Sequence, residues 1–437
     1  MQLSNRRPPL ARVVVLGAGV MGLAAAFHAA KAGHAVEVLE AGPEPGGMAA
    51  HFDFDGLSIE RFYHFVCKTD EATFALLAEL GFEDCIRWRP TSMGYFIDGR
   101  LHDWGDPISL LKFPAIGFLS RLRYGLLAFI SVRRARWDAL ETQTAQAWIA
   151  RWGGAEVYDR LWKRLLTLKF HEYADNISAA WIWTRIRRLG RSRKSIFQEE
   201  LGYIEGGSQS LVDALCTAIR DHGGQIRVGM PALRVLSKEM RVTGVETPQG
   251  IVPADAVIST MPIQLIPAVV PDLPDVWKDR YAAIRNIGVC CVLFKLRKSV
   301  TGHFWVNVTA PDIEIPGIIE FSRLRPLAHT VVFVPYYMPV THPKFAWPDD
   351  WIREEAFGYL QRINQKIASE DVLATHVGRL RHAQPVCEPG FAAKIPPIVT
   401  PIEGLQIADT CFYYPEDRGI SESVRLGREM AERLTLP

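Results

Sequence analysis

Val13-Val14-Val15-Leu16-Gly17-Ala18-Gly19-Val20-Met21-Gly22 decides the fold. Its first four residues are a short, β-branched apolar run ending on glycine, the pattern of a strand buried on both faces of a parallel sheet. The next six spell G-x-G-x-x-G. An alanine-rich segment follows through Ala30, a strong helix former closed by Gly33, and then a second strand-like run, Ala35–Leu39, ends on Glu40. In such a unit Gly17 makes the tight turn, Gly19 lets backbone approach a pyrophosphate, and Gly22 lets the helix lie close on the strand. The backbone from Ala18 through Val20 and Met21 offers unpaired N–H groups to phosphates at the helix start. Glu40 can accept hydrogen bonds from a ribose diol. Strand, glycines, helix, strand and terminal acid fall in the order of a dinucleotide-binding unit.

The rest of the chain narrows the class. Lysine plus arginine total 50 against 48 acids, a net charge of +2 that argues against a nucleic-acid-coating protein. With 48% hydrophobic and 22% charged residues in 437, the chain has the composition for folded cores and the length for two or three domains. The cysteines are seven, scattered and without CxxC, which speaks against a disulfide scaffold or zinc ribbon, and no His/Cys cluster has metal spacing. The N-terminus through Arg12 is polar and shows no secretory signal. No run is long enough to span a bilayer. The expectation is a cytoplasmic chain, peripheral at most on the inner face of the cytoplasmic membrane.

Beyond Glu40-Ala41 the chain reads Gly46-Gly47-Met48. The glycine signature with Ala26, the strand ending in Glu40 and the double glycine together resemble the FAD-binding N-terminus of the flavin amine oxidase superfamily, although Met48 stands where most members carry Arg or Lys. Two further stretches are similar. Gly202–Ser208, the segment near Ala232 and Asp255-x-Val257-Ile258-x-Thr260-x-Pro262 resemble the returning segment of the FAD unit. Leu405–Asp409 and Pro415–Ser421 resemble its closing motif. The resemblance, closest in local text such as Ile59–His64 and Lys169–Asp175 to a bacterial subgroup like protoporphyrinogen oxidase and phytoene desaturase, implies an α/β fold. It implies a glutathione-reductase-like, Rossmann-type FAD domain from 1–60, 200–262 and 396–437. A helical insertion at 61–199 and a β-rich insertion at 263–395 would form a mixed sheet-and-helix substrate domain. It also implies FAD as cofactor, with Asp409 near the phosphate–ribityl region, the backbone of Arg418, Gly419, Ile420 and Ser421 at the flavin pyrimidine, and backbone near Ala232 and Thr260 lining the site.

Candidate reacting residues follow from position. Tyr63 and His64 come directly after the first FAD segment, and His64 is a candidate for proton transfer at neutral pH. Glu320 ends an apolar strand, and Tyr336, with Tyr337, follows another; one tyrosine could belong to an aromatic wall. Each has an ordinary packing role as its alternative. Two arginine-rich stretches lack nearby acids: 108–137, with Arg121, Arg123, Arg133, Arg134 and Arg136 among apolar residues, and Arg185–Lys194. They suit peripheral membrane contact, a solvated rim, or an anionic substrate. The resemblance implies dehydrogenation of a small, lipophilic or lipid-linked molecule by hydride transfer to flavin N5. Alternatives are use of the flavin without net redox on a sugar substrate, as in UDP-galactopyranose mutase, or FAD kept only as structure.

Overall fold

A computed structural model describes residues 10–434; the polar stretch 1–9 used in the N-terminal reading lies outside the described residues. Five parallel strands form the first sheet, in the spatial order Gln225–Arg227, Ala35–Leu39, Arg12–Leu16, Ala256–Ser259, Leu405–Ile407. Strand alternation splits the opening run between two cores. Val13 and Val15 face the helices Val20–Lys31, Ser208–Asp221 and Ile420–Glu432, while Val14 and Leu16 face the antiparallel meander Arg234–Pro253. All four are essentially inaccessible, which is why the segment reads as unbroken apolar text.

The second sheet has seven strands in the order Val372–Pro385, Asn286–Leu296, Thr330–Met338, Gly317–Glu320, Trp305–Val308, Met93–Ile97, Arg100–Trp104. Its last two strands come from the stretch expected to be helical. Asp98 and Gly99, both at positive φ (51° and 72°), turn that hairpin, and Met93–Ile97 then pairs in parallel with Trp305–Val308. The D-G pair was a hairpin signal, but the strands beside it become sheet only by docking on a partner two hundred residues away. Most of the remainder of 61–199 is helical, apart from Ile86–Thr91 and Arg193–Ser195, which pair with Gln198–Ile204 in a small antiparallel sheet. The helices Phe118–Arg133 and Ala179–Arg191 pack together, and the buried Trp183 indole donates to Ser131 O at 2.9 Å.

Candidate active site

The glycine turn opens onto a cavity. Gly17 stands at φ +96°, and a Cβ there would lie 2.9 Å from Thr260 Oγ1. A Cβ on Gly22 would fall 1.9 Å from Gly17 O, so the helix start lies hard against the turn. A Cβ on Gly19, by contrast, meets nothing within 4 Å, because that residue faces open space. Gly46 N donates to Ala18 O at 2.7 Å, and a Cβ on Gly47 would approach Gly19 Cα at 3.2 Å, so the double glycine closes the same cradle. Glu40 Oε2 accepts from Ala18 N and Oε1 from Gly42 N, each at 2.7 Å. These leave lone pairs on a carboxylate that borders the cavity.

The cavity encloses about 1360 Å³, more than the ~300–1,000 Å³ of an ordinary small-molecule site. Gly17, Gly19, Val20, Met21, Glu40, Ala41, Gly46, Gly47, Met48, Ala232, Thr260, Asp409, Arg418, Gly419 and Ile420 all line it. Ala18 and Gly22 stand behind the cradle. Ser421 is buried off the cavity wall; Ser423, one turn beyond Ile420 and on its face of the helix, lines it instead. Thr260 donates its hydroxyl to Leu16 O at 3.0 Å and so clamps the glycine turn. Asp409 accepts from Cys411 N at 2.9 Å and Ile263 N at 3.1 Å; burial pushes its carboxyl up, against those hydrogen bonds. A cradle where any Cβ at Gly19 would fill the open space, facing an acid at the end of the second strand, fits a dinucleotide.

Two of the four reacting-residue candidates face this cavity. Tyr63 packs edge-on to Trp305 and Phe333, with ring centroids 5.5 and 5.7 Å away, and burial beside Tyr337 raises its phenol well above the ordinary range. His64 lines the cavity too, but burial lowers its pKa to about 4, with the nearby Glu60 carboxylate opposing. It is therefore a neutral ring at neutral pH and not a proton donor there. Glu320 is a correction. It is 1% exposed and off the cavity, and its oxygens accept from Ser299 Oγ, Val300 N, Thr301 N and Arg323 Nε, a saturated staple under a loop. Tyr336 is a second correction. On an extended strand neighbours point oppositely, so Tyr336 packs against Tyr359 in the core behind the sheet while Tyr337 faces the cavity.

The second arginine cluster is not a free patch. Arg188 pairs with Asp70 at 2.8 Å, Arg185 with Asp417, and Arg187 approaches Glu416 at 4.0 Å. Helix Ala179–Arg191 thus docks by ion pairs on the segment 415–418 and on Asp70. The partners are far away in sequence, so local text shows bare charge. Residues 108–137 behave otherwise. Phe118, Leu119, Leu122, Leu126 and Phe129 are exposed, at 64%, 68%, 47%, 54% and 53%. Arg121 and Arg123 donate only to backbone carbonyls, and Arg133 lies over the Phe129 ring. The cavity reaches this face, since Leu110, Tyr124, Phe129 and Arg133 are part of its wall.

Sequence reasoning passed over Lys169 and Trp181, which also line the cavity. The available signal was a lone lysine between the apolar Leu168 and Phe170. Lys295 pairs with Asp55 at 2.9 Å. Cys387 is buried off the cavity wall. No group of side chains suited to holding a metal ion occurs among the described residues.

With this geometry in view, comparison with known proteins is specific. The sequence profile for flavin containing amine oxidoreductases matches residues 21–370. Phytoene dehydrogenase of Streptomyces griseus is 28% identical over 292 residues, covering 61% of this chain and 55% of that protein. The 15-cis-phytoene desaturase of Synechococcus elongatus is 24% identical over 295 residues, covering 61% and 60%. The chain thus spans little more than half the length of these curated relatives. Among solved structures, an Exiguobacterium protein described as a protoporphyrinogen oxidase superposes with TM-score 0.74 at 18% identity, covering 98% of this chain and 99% of that one. Cyclohexylamine oxidase of Brevibacterium oxydans gives 0.70 at 17%, covering 97% and 98%. The structural likenesses speak for the fold, and the profile for the family: the chain belongs to the flavin containing amine oxidoreductases, a flavin-using family.

Proposed function

We propose that this enzyme dehydrogenates a lipophilic or lipid-linked small molecule that reaches the flavin from an anionic membrane surface. One observation carries the reading: a single cavity runs from the glycine cradle to the exposed apolar helix Phe118–Arg133. Its middle and outer walls are mostly aromatic and aliphatic, with Trp104, Tyr124, Trp162 and Leu165, interrupted by Arg133, Lys169, Arg185 and Arg188, a lining suited to a lipophilic or lipid-linked molecule. The relatives named for phytoene, a hydrocarbon by name, point the same way.

In this reading Gly17–Gly22 and Gly46–Met48 would hold the FAD pyrophosphate, Glu40 the ribose, backbone near Ala232 and Thr260 the adenosine side, and Asp409 with Arg418–Ile420 the flavin end. The unit doing so would be discontinuous, 1–60, 200–262 and 396–437; the five parallel strands are all drawn from those segments. When bound, FAD supplies the two-electron acceptor. The chain's residues orient substrate and exclude water: Tyr63, Trp305 and Tyr337 form an aromatic wall, and neutral His64 offers a hydrogen bond without charge. Desolvation disfavours the charge on the half-buried Arg418 guanidinium, yet Tyr337 and Asp417 raise its pKa, leaving a fixed positive charge at the start of helix Ile420–Glu432.

The test is anaerobic. Polyprenoids, porphyrinogens and lipid-linked sugars are presented in phosphatidylglycerol vesicles and the flavin band at about 450 nm is followed. Bleaching by a polyprenoid or another lipid is the expected result. Turnover of a sugar nucleotide only after prior flavin reduction, with no oxidant consumed, would replace this reading with the non-redox one.

A further inference from the structure

We infer that Lys169 is the substrate-contacting proton acceptor of the cavity. The inference rests on the dehydrogenase reading and names the residue that completes it. Lys169 is the penultimate residue of the helix Lys163–Phe170 and lines the cavity. Its Nζ lies 4.9 Å from the ring centroids of both Trp181 and Tyr337. Among the described residues no carboxylate comes within ion-pair distance of it and no hydrogen bond engages it. Asp417, the acid in its surroundings, is taken by Arg185. Beside it Trp181 Nε1 is a buried donor with no partner among the described residues.

The backbone on either side is irregular in a way that aims this side chain. The preceding turn, Tyr158–Trp162, is π-helical, a distortion common at functional sites. The residue that follows the helix, His171, is held at φ +51° without being glycine, and its Nε2 is tied to Tyr337 O at 2.7 Å. Such strain persists only where surrounding contacts over-determine it. Here it fixes the helix end against the tyrosine strand, so Lys169 and Tyr337 share one wall.

The charges around Nζ favour the free amine. Burial lowers the Lys169 pKa well below its ordinary value, Arg185 and Arg418 lower it further, and Asp417 and Cys387 only partly oppose. The two aromatic faces attract the ammonium form, but that attraction is weaker than the cost of burying a charge beside two guanidiniums. An amine with a free lone pair beside the substrate space can take a proton. The step balances within the family's activity. One substrate C–H bond breaks with its electron pair leaving to the two-electron acceptor. The bond from hydrogen to the adjacent atom breaks with its proton passing to Lys169 Nζ, and a double bond forms between the two atoms. The ammonium then returns its proton to water through the cavity mouth.

The FAD-loaded enzyme is labelled with trace 1-fluoro-2,4-dinitrobenzene from pH 5 to 11, and each lysine peptide is quantified by mass spectrometry. Lys163, exposed on the same helix, is the internal standard. Lys169 is expected to label with a midpoint at least about 2 pH units below that of Lys163. A midpoint equal to that of Lys163, or no label at any pH, overturns the inference. Anaerobic bleaching of the same FAD-loaded sample separates the two failures: a flavin that no lipid in the panel bleaches marks failure of the dehydrogenase reading, whatever the labelling midpoint of Lys169. For any compound that bleaches the flavin, Lys169→Gln is expected to slow bleaching about 10²–10⁴-fold with the half-saturating concentration within about threefold. An unchanged rate and pH profile would overturn it equally.

Discussion

At the residue scale the cradle makes two neighbouring glycines distinguishable. A methyl at Gly22 collides with Gly17 O, whereas a methyl at Gly19 meets no protein atom and enters the space assigned to the cofactor. Gly22→Ala should therefore destabilise the fold by about 1–3 kcal/mol, the cost of overpacking. Gly19→Ala should leave the melting temperature of the FAD-free protein unchanged and lower FAD content at least about tenfold, a penalty of the same order. Thermal melting and bound-flavin absorbance on both variants check the contrast. The tyrosine pair gives a second contrast. Tyr337→Phe removes a hydroxyl lying 3.4 Å from Arg418 Nη2 on the cavity wall, and should slow flavin reduction about tenfold. Tyr336→Phe changes only the core behind the sheet and should leave the rate within about twofold.

His64 gives a pH test. Its pKa falls from 6.5 to about 4 on folding because burial disfavours the imidazolium. Below pH 6.5 the unfolded chain therefore binds the proton that the folded chain refuses, so stability is full above that pH and declines as pH falls toward 4. Between those limits His64→Gln should lose about 1–3 kcal/mol less stability than wild type, read by denaturant unfolding at each pH.

Elements tell a different story about legibility. The first strand, its helix and the strand ending in Glu40 were readable because every contact that defines them is local or glycine-specific. The hairpin Met93–Trp104 was not, since its sheet neighbours come from the second insertion. The arginines of helix Ala179–Arg191 looked unpaired because Asp70, Glu416 and Asp417 reach them only through the fold. The apolar face of helix Phe118–Arg133 was readable and stays uncovered by the described residues. Leu119→Glu with Leu122→Glu should abolish co-flotation with phosphatidylglycerol vesicles at low salt while leaving the melting temperature unchanged, because neither side chain is in the core. Flotation that persists would remove the membrane from the account.

Across the whole molecule, distant segments share one cavity. The cradle is built from 17–48, its far wall from 409–423, its middle from 161–189 and its mouth from 105–133. Sequence motifs picked out residues that mostly line one end of the cavity, because glycine spacing and strand-end acids report backbone geometry directly. They placed the reacting side chains poorly. Whether Tyr336 or Tyr337 faces the cavity depends on strand register, and whether Glu320 is free depends on the loop folded over it. Lys169 stands out only once its surroundings are assembled.

The central claim is that this assembled cavity holds one FAD that takes two electrons from a lipophilic substrate. Its most direct test is the visible spectrum of the purified protein, as isolated and after incubation with FAD, recorded before and after anaerobic addition of polyprenoid-loaded phosphatidylglycerol vesicles. The account predicts one bound flavin per chain and loss of its absorbance on addition of the vesicles. A protein that stays colourless after incubation with FAD would contradict it.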